Sequence, residues 1–425
     1  MAVKRSRPVS SLPKEPKYRV ERDSIGTFRV LENASYGIGT ARARLYLGFS
    51  NRILGVHIYY LRALVKVKKA AARANRDAGV ITPAVANAIE AACDDILQLK
   101  HSDDFPADVL GGGGGIAVNM NVNEVIANVA NESLGGTRGT YRPIDPKLHV
   151  NASQSTADVC HTAMRIAIIE EWDNLHRMLG DCIRAMRSKA GEFREVRTLA
   201  RTCLQDASVT SLGELFGGYT AAIARRTGEL DRAVSMLHKV NLGGTVIGDG
   251  SGAPPAYRRA VLGHLKRILK LKLTLRENLF DAAQNCDDLG AVAAQLGLLA
   301  EVLIKVANDL RLLSSGPEGG FGEISLPAVM EGSSFYPGKI NPVIPETLMQ
   351  CCFQVLGFER ATRGALEHGE LNLNVFEGSA ASNLMFAMGM LTGSVESFTG
   401  SCLARITVNK ARCRKLASIG RRRTH

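Results

Sequence analysis

Aromatic residues are scarce in this chain: they make up 5% of its 425 residues, with a single tryptophan, Trp172. Sandwiches and barrels draw on aromatic and β-branched side chains. Their scarcity, beside abundant alanine, leucine and glycine, points to close-packed helices. Paired cysteine motifs are missing as well. The nine cysteines are an odd, scattered set without a C-x-x-C, which excludes a disulfide framework and a structural zinc site and reads as a reduced, cytoplasmic protein. No apolar run of membrane-spanning length is expected, and the basic N-terminus lacks the apolar stretch of a signal peptide. The glycine run at 111–115 lacks the Lys-Ser/Thr of a phosphate-binding loop, and no metal-ligand spacing stands out, so neither a metal nor a cofactor is expected.

A formal charge of +12 invites a nucleic-acid partner, but its location argues otherwise. Lys4, Arg5, Arg7, Lys14, Lys17 and Arg19 face only Glu15 in the first 19 residues, a net of +5; Lys410, Arg412, Arg414, Lys415, Arg421, Arg422 and Arg423 add +7 with no acid. Those two ends carry the whole excess, and positions 20–409 are formally neutral. A nucleic-acid-binding body would carry basic stripes of its own. Solvated tails are expected, with no nucleic-acid partner.

Four segments are expected: a disordered basic arm at 1–20 rich in proline and lysine, an N-terminal domain at 21–152, a helical domain at 153–410, and a basic tail at 411–425. Helical periodicity is strongest in the third. Met164, Ile168, Trp172, Leu175, Leu179, Ile183 and Met186 recur at steps of three and four, as do Leu212, Phe216, Tyr219, Ile223, Leu230, Val234 and Leu237. Further helices are expected over 289–313, 345–368 and 377–410. The fold class is all-α, with a long central bundle.

Polar clusters fall at the breaks between these helices. Ser155-Thr156-Ala157-Asp158 reads as an N-cap with an acid in the first turn, which serves as a cap or, through its unpaired N–H groups, as an anion site. Arg201-Thr202-Cys203-Leu204-Gln205-Asp206 precedes the next long helix in the same manner. Asparagines after Gly115 suit a hydrogen-bonded turn. The loop Gly332-Ser333-Ser334-Phe335-Tyr336-Pro337-Gly338-Lys339-Ile340-Asn341-Pro342 sets two hydroxyls, an ammonium and a carboxamide just before a helix, a combination that can close over an anionic substrate.

These blocks carry a resemblance. Asn119-Met120-Asn121-Val122-Asn123-Glu124, His149-Val150-Asn151-Ala152-Ser153-Gln154-Ser155-Thr156, Arg201-Thr202-Cys203-Leu204-Gln205-Asp206 and the loop at 332–345 resemble, in order, the aspartate ammonia-lyase branch of the aspartase/fumarase superfamily. The resemblance runs from about residue 20 to about residue 410. It implies a homotetramer whose active sites are shared among three subunits, acting on a small dicarboxylate. By resemblance Ser333 is the catalytic base. Ser155, Thr156 and Ser334 hold the carboxylate that becomes a dianion when C3 is deprotonated. Thr202, Lys339 and Asn341 hold the other, and Arg201 belongs to the binding set. The family's small C-terminal domain is expected to be missing.

The departures are concentrated. Ile116 and Ala117 stand where the branch carries threonine and serine, Ala157 replaces an asparagine, and Cys203 replaces a histidine or glutamine. The polar contacts to the leaving amino group are thereby lost at Ile116, Ala157 and Cys203, while the carboxylate and base residues remain. An ammonium there would lose hydrogen bonds worth about 1–3 kcal/mol each. The expectation is therefore β-elimination of a C2-substituted succinate to fumarate by a carbon–nitrogen lyase, with nitrosuccinate as substrate because nitrite leaves without protonation. L-aspartate, or an N-substituted aspartate, is the alternative.

Overall fold

The computed structural model describes residues 16–421. An antiparallel hairpin, β1 (Tyr18–Asp23) with β2 (Gly26–Leu31), opens it. The disordered arm expected to run to position 20 thus gives way to strand by Tyr18, and residues 1–15 lie outside the described part. Arg19, counted with the solvated charges, is instead clamped: the Glu21 carboxylate and the carbonyl oxygens of Leu31, Ala34 and Tyr36 all accept from its guanidinium.

Helices α1 (Ile38–Leu47), α2 (Ile58–Asp77), α3 (Pro83–Leu97) and α4 (Ile116–Ser133) follow. The asparagine-rich stretch expected as a turn is in fact α4. Its sharp turn comes earlier, at Gly113, Gly114 and Gly115, with φ of 81°, 65° and 88°, a left-handed path that only glycine follows without strain. Most asparagines of α4 are buried and staple neighbouring backbone. Asn121 ties down Asp104 and Ala107, Asn128 ties Ser35 and Gly139, and Asn131 ties both backbone groups of Ile144. Glu124, fully buried, accepts from the N–H groups of Gly37, Gly39 and Thr40 at the start of α1. Burial raises its carboxyl above the usual range.

The bundle contains α5 (Thr156–Glu192), then a hairpin of β3 (Arg197–Thr202) and β4 (Gln205–Ser211), then α6 (Leu212–Ser235), α7 (Pro255–Leu269), α8 (Leu279–Gln284), α9 (Asp287–Leu313), α10 (Val343–Glu367) and α11 (Glu377–Ser397). The predicted stripe on α5 is its buried face, including Met164, Ile168, Trp172, Leu175, Leu179 and Met186. Named pairs set the helix directions. Arg165, early in α5, is bidentate to Asp288 in the first turn of α9 at 2.7 and 2.8 Å and bonded to Glu377 at the start of α11. At the far end Lys189 donates to Ile406 O, beyond α11. So α5, α9 and α11 run the same way. Trp172 bonds Asp231 late in α6, Tyr219 early in α6 bonds Asp309 late in α9, and Arg311 late in α9 pairs with Glu346 in the first turn of α10. Both α6 and α10 therefore run opposite to α9.

Three further expectations are corrected. The fifth helix, expected to reach 410, stops at Ser397; a wide turn, Phe398–Cys402, and a short 3₁₀ turn, Leu403–Arg405, lead to a two-residue pairing of Thr407–Val408 with Ile324–Ser325. The tail expected at 411–425 is ordered over α12 (Lys410–Arg421). Cys413, Leu416 and Ala417 are buried, and α12 packs on β3 and β4, with Gly420 against Val209 and Leu199. Its basic residues mask an amphipathic helix, because Cys413, Leu416 and Ala417 fall at helical spacing. Last, α9 is long and apolar enough to cross a membrane on length and composition alone. Half of that stretch is buried in the protein, against α6, α10 and α11.

Candidate active site

The predicted residues gather at two ends of the bundle. At the first end, the starts of α4 and α5 abut: a Cβ added to Gly115 would lie 3.4 Å from Cys160 Sγ and 3.8 Å from Thr156 Cγ2. Ser155 is the N-cap of α5. Its hydroxyl oxygen accepts from Ala157 N at 3.2 Å, and Asp158 accepts from Ser155 N at 3.0 Å. Asp158 also accepts from Gly243 N and Thr245 N; burial still pushes its carboxyl up to about 6. Asn119 donates to Thr156 Oγ1 at 2.9 Å. With their oxygens already accepting, both hydroxyls are left to donate outward, beside the positive end of the α5 dipole. Ile116 is half exposed and Ala157 half-buried at these same two helix starts.

At the second end lies the block Arg201–Asp206, which is the tip of the β3–β4 hairpin rather than the lead-in to a helix. Thr202 faces Gln205 across a two-residue turn whose central residues, Cys203 and Leu204, have φ of 53° and 60°. Both are exposed, Cys203 at the tip of the hairpin. Positive φ at both positions is the type I′ arrangement that favours Asn-Gly, and non-glycine residues there cost of order 1–2 kcal/mol each. Arg201 is engaged within its own chain through one guanidinium nitrogen. Its guanidinium pairs with Glu323 at 2.6 Å and lies 4.3 Å from the Phe321 ring centroid.

Glu323 was missed by sequence reasoning, and it organises this end. Fully buried, it accepts from Arg201 and Thr198 through its carboxylate, and its backbone accepts from Asn409 N and Cys413 Sγ while donating to Leu313 O. A hydrophobic sequence context of Phe321, Ile324 and Leu326 hid it. The serine loop springs from this segment. Ser333 is half-buried, and its Oγ accepts from Phe335 N at 3.1 Å and Tyr336 N at 3.3 Å. Asn341 closes the loop's neck by donating to Gly332 O at 2.9 Å. Ser334 and Lys339 are exposed, as are Phe335 (87%) and Tyr336 (68%). Glu346, in the first turn of α10, pairs with Arg311 at 3.3 Å. His161, early in α5, is buried; burial and the Arg165 charge hold its ring far below its ordinary pKa and neutral.

The neck admits only glycine at 332. A Cβ there would sit 2.1 Å from the Lys339 carbonyl oxygen. Gly332→Ala should therefore spread the loop and misplace Ser333, lowering kcat/KM about 10²-fold. Thermal melting should move little, because the loop is exposed. Unchanged turnover would show that the neck does not position the serine.

A protein-family model described as lyase matches residues 26–357. Aspartate ammonia-lyase of Helicobacter pylori (strain J99) is 40% identical over 395 residues, covering 93% of this chain and 84% of that protein; the Bacillus subtilis aspartate ammonia-lyase is 39% identical over 401 residues, with 94% and 84% covered. The chain belongs to the aspartase/fumarase superfamily, in its aspartate ammonia-lyase-like branch. A solved structure described as a fumarate lyase:delta crystallin from Brucella melitensis superposes with a TM-score of 0.92 at 40% identity, covering 94% of this chain and 87% of that one. This superfamily member is accordingly a lyase with the all-α bundle fold expected. The relatives' names favour the alternative reading, aspartate ammonia-lyase, over nitrosuccinate, which they do not support.

Proposed function

We propose that this carbon–nitrogen lyase converts L-aspartate to fumarate and ammonia, with Ser333 as the base. The observation that carries the reading is the pair of backbone N–H groups directed at Ser333 Oγ, at 3.1 and 3.3 Å. A serine hydroxyl is a weak base, and hydrogen bonds donated to its oxygen favour the alkoxide. The alkoxide takes the proton from C3, and the electron pair moves onto the adjacent carboxylate as a dianion. The hydroxyls of Ser155 and Thr156 at the start of α5, with Ser334, stabilise that charge. The dianion then collapses: the C2–C3 double bond forms, the C–N bond breaks, and the ammonium of the substrate departs as ammonia. Thr202, Lys339 and Asn341 hold the second carboxylate. Arg201 acts from behind, through its pair with Glu323.

The two ends of the bundle support a shared site. The Ser155–Thr156 start and the Thr202 hairpin flank the 37 residues of α5, about 55 Å at 1.5 Å per residue. No single copy can close both on one small dicarboxylate, so the complete site is assembled from several copies of a homotetramer. Nitrosuccinate remains a second reading on one observation: Ile116 and Ala157, at the paired helix starts, present no hydrogen-bonding side chain to an ammonium. Offering both substrates side by side, with fumarate, ammonia and nitrite measured, decides between them. Ammonia from aspartate is the expected result; nitrite from nitrosuccinate with inert aspartate would replace it by the second reading, and no fumarate from either would remove both.

A further inference from the structure

Lys68, on α2, is 0% exposed, and among the described residues no carboxylate oxygen lies within ion-pair distance of its Nζ. Its Nζ donates to Asn151 Oδ1 at 2.8 Å. That same oxygen accepts from Asn119 Nδ2 and Asn123 Nδ2, each at 3.2 Å. Three donors thus converge on one amide oxygen. Asn119 then donates its other proton to Thr156 Oγ1 at 2.9 Å, and Asn151 Nδ2 donates to Gln154 O, the residue before the α5 N-cap. The ammonium stands two side chains behind the hydroxyl assigned to the dianion. A buried charge without a counterion is costly to folding and is retained mostly where a site uses it.

We propose that Lys68 is a positioning residue for the elimination: through Asn151 and Asn119 its ammonium fixes the Thr156 hydroxyl toward the substrate carboxylate and supplies positive charge behind it. This rests on the reading that the start of α5 receives a carboxylate. The titratable groups facing Lys68 are Asp158 and Cys160 of α5 and Cys93 of α3; burial holds the Cys160 thiol up at about 11 and raises that of Cys93 further. Burial lowers Lys68 itself to about 7, while Asp158 and the thiols oppose that shift. Because the folded value lies below the unfolded one, the unfolded chain binds more protons between about pH 7 and 10.5. The cost of burying the charge is full below pH 7 and is relieved as pH rises.

The test uses the full chain and its Lys68→Met variant, with fumarate as the dicarboxylate probe and turnover measured alongside. At pH 6.5 the variant should melt at a higher temperature than the parent, with the gap closing toward high pH. It should nevertheless bind fumarate about tenfold more weakly and lose kcat/KM about tenfold or more, the worth of a charge-assisted hydrogen bond. The parent's affinity should fall as pH rises through about 7, and the variant's should stay flat. Asn119→Ala should reproduce the binding loss without the gain in melting temperature. Binding and kcat/KM within about twofold of the parent, with the same pH profile, would overturn the proposal, and so would a variant that fails to fold. A parent that binds no fumarate and turns over neither substrate would instead remove the functional reading, and this inference with it.

Discussion

Ser333→Ala should lower kcat by about 10²–10⁴-fold, the usual contribution of a positioned general base, while leaving KM and the melting temperature close to those of the parent. The separation follows from where the side chain sits. Ser333 is half-buried on an exposed loop, and loss of its hydroxyl frees the Phe335 and Tyr336 N–H groups, which water can serve. The residues assigned to the carboxylates keep their own side chains: Ser155 and Thr156 at the start of α5, Thr202 on the hairpin, Ser334 beside the base, and Lys339 and Asn341 beyond the loop tip. Substrate binding therefore persists without the base. The check is steady-state kinetics of fumarate release beside a melting curve. A variant with parental kcat would mean the hydroxyl is a loop-capping group, and a different base would have to be sought.

The long helices were legible because their apolar residues keep the 3.6 period over several turns, and burial follows that stripe on α5 and α6 closely. Where the sequence misled, tertiary partners decided. The asparagines of α4 have turn chemistry, yet Asn121, Asn128 and Asn131 find backbone at distant points, such as Ser35 for Asn128, while Asn119 and Asn123 bond the Asn151 side chain, and those bonds offset a poor helix propensity. The hairpin tip lacks the Asn-Gly that marks a type I′ turn, so Cys203 and Leu204 gave no warning of their left-handed backbone. α12 was hidden by charge: seven basic residues in the last sixteen dominate the composition, but only the spacing of Cys413, Leu416 and Ala417 matters for packing. Ser155, Thr156, Ser333 and Asn341 could be placed on helix starts and loops from their blocks alone. The stripe from Met164 to Met186 already set a long helix between the Ser155 and Arg201 blocks; its full 37 residues, and so the separation of about 55 Å, came only with the structure.

Glu323→Ala should destabilise the protein by about 3–5 kcal/mol, the cost of leaving one partner of a buried pair uncompensated. That is a large share of the 5–15 kcal/mol by which folded proteins are typically stable. Three elements meet at this carboxylate and its backbone: β3 through Thr198 and Arg201, the end of α9 through Leu313, and the start of α12 through Asn409 and Cys413. The Arg201 guanidinium, only 15% exposed, would keep the Phe321 ring and lose its counterion. Activity should fall as well, because Thr202 is the next residue along the strand and depends on Arg201 for its placement. Stability and positioning are separable in the paired variant Arg201→Met, Glu323→Leu. Replacing both charges with apolar groups of similar volume removes the uncompensated charge and often recovers the stability lost, so the melting temperature should return toward the parent. Turnover should not return if the ion pair sets the angle of the hairpin. Recovery of both together would show that Glu323 acts on the site only by keeping the chain folded.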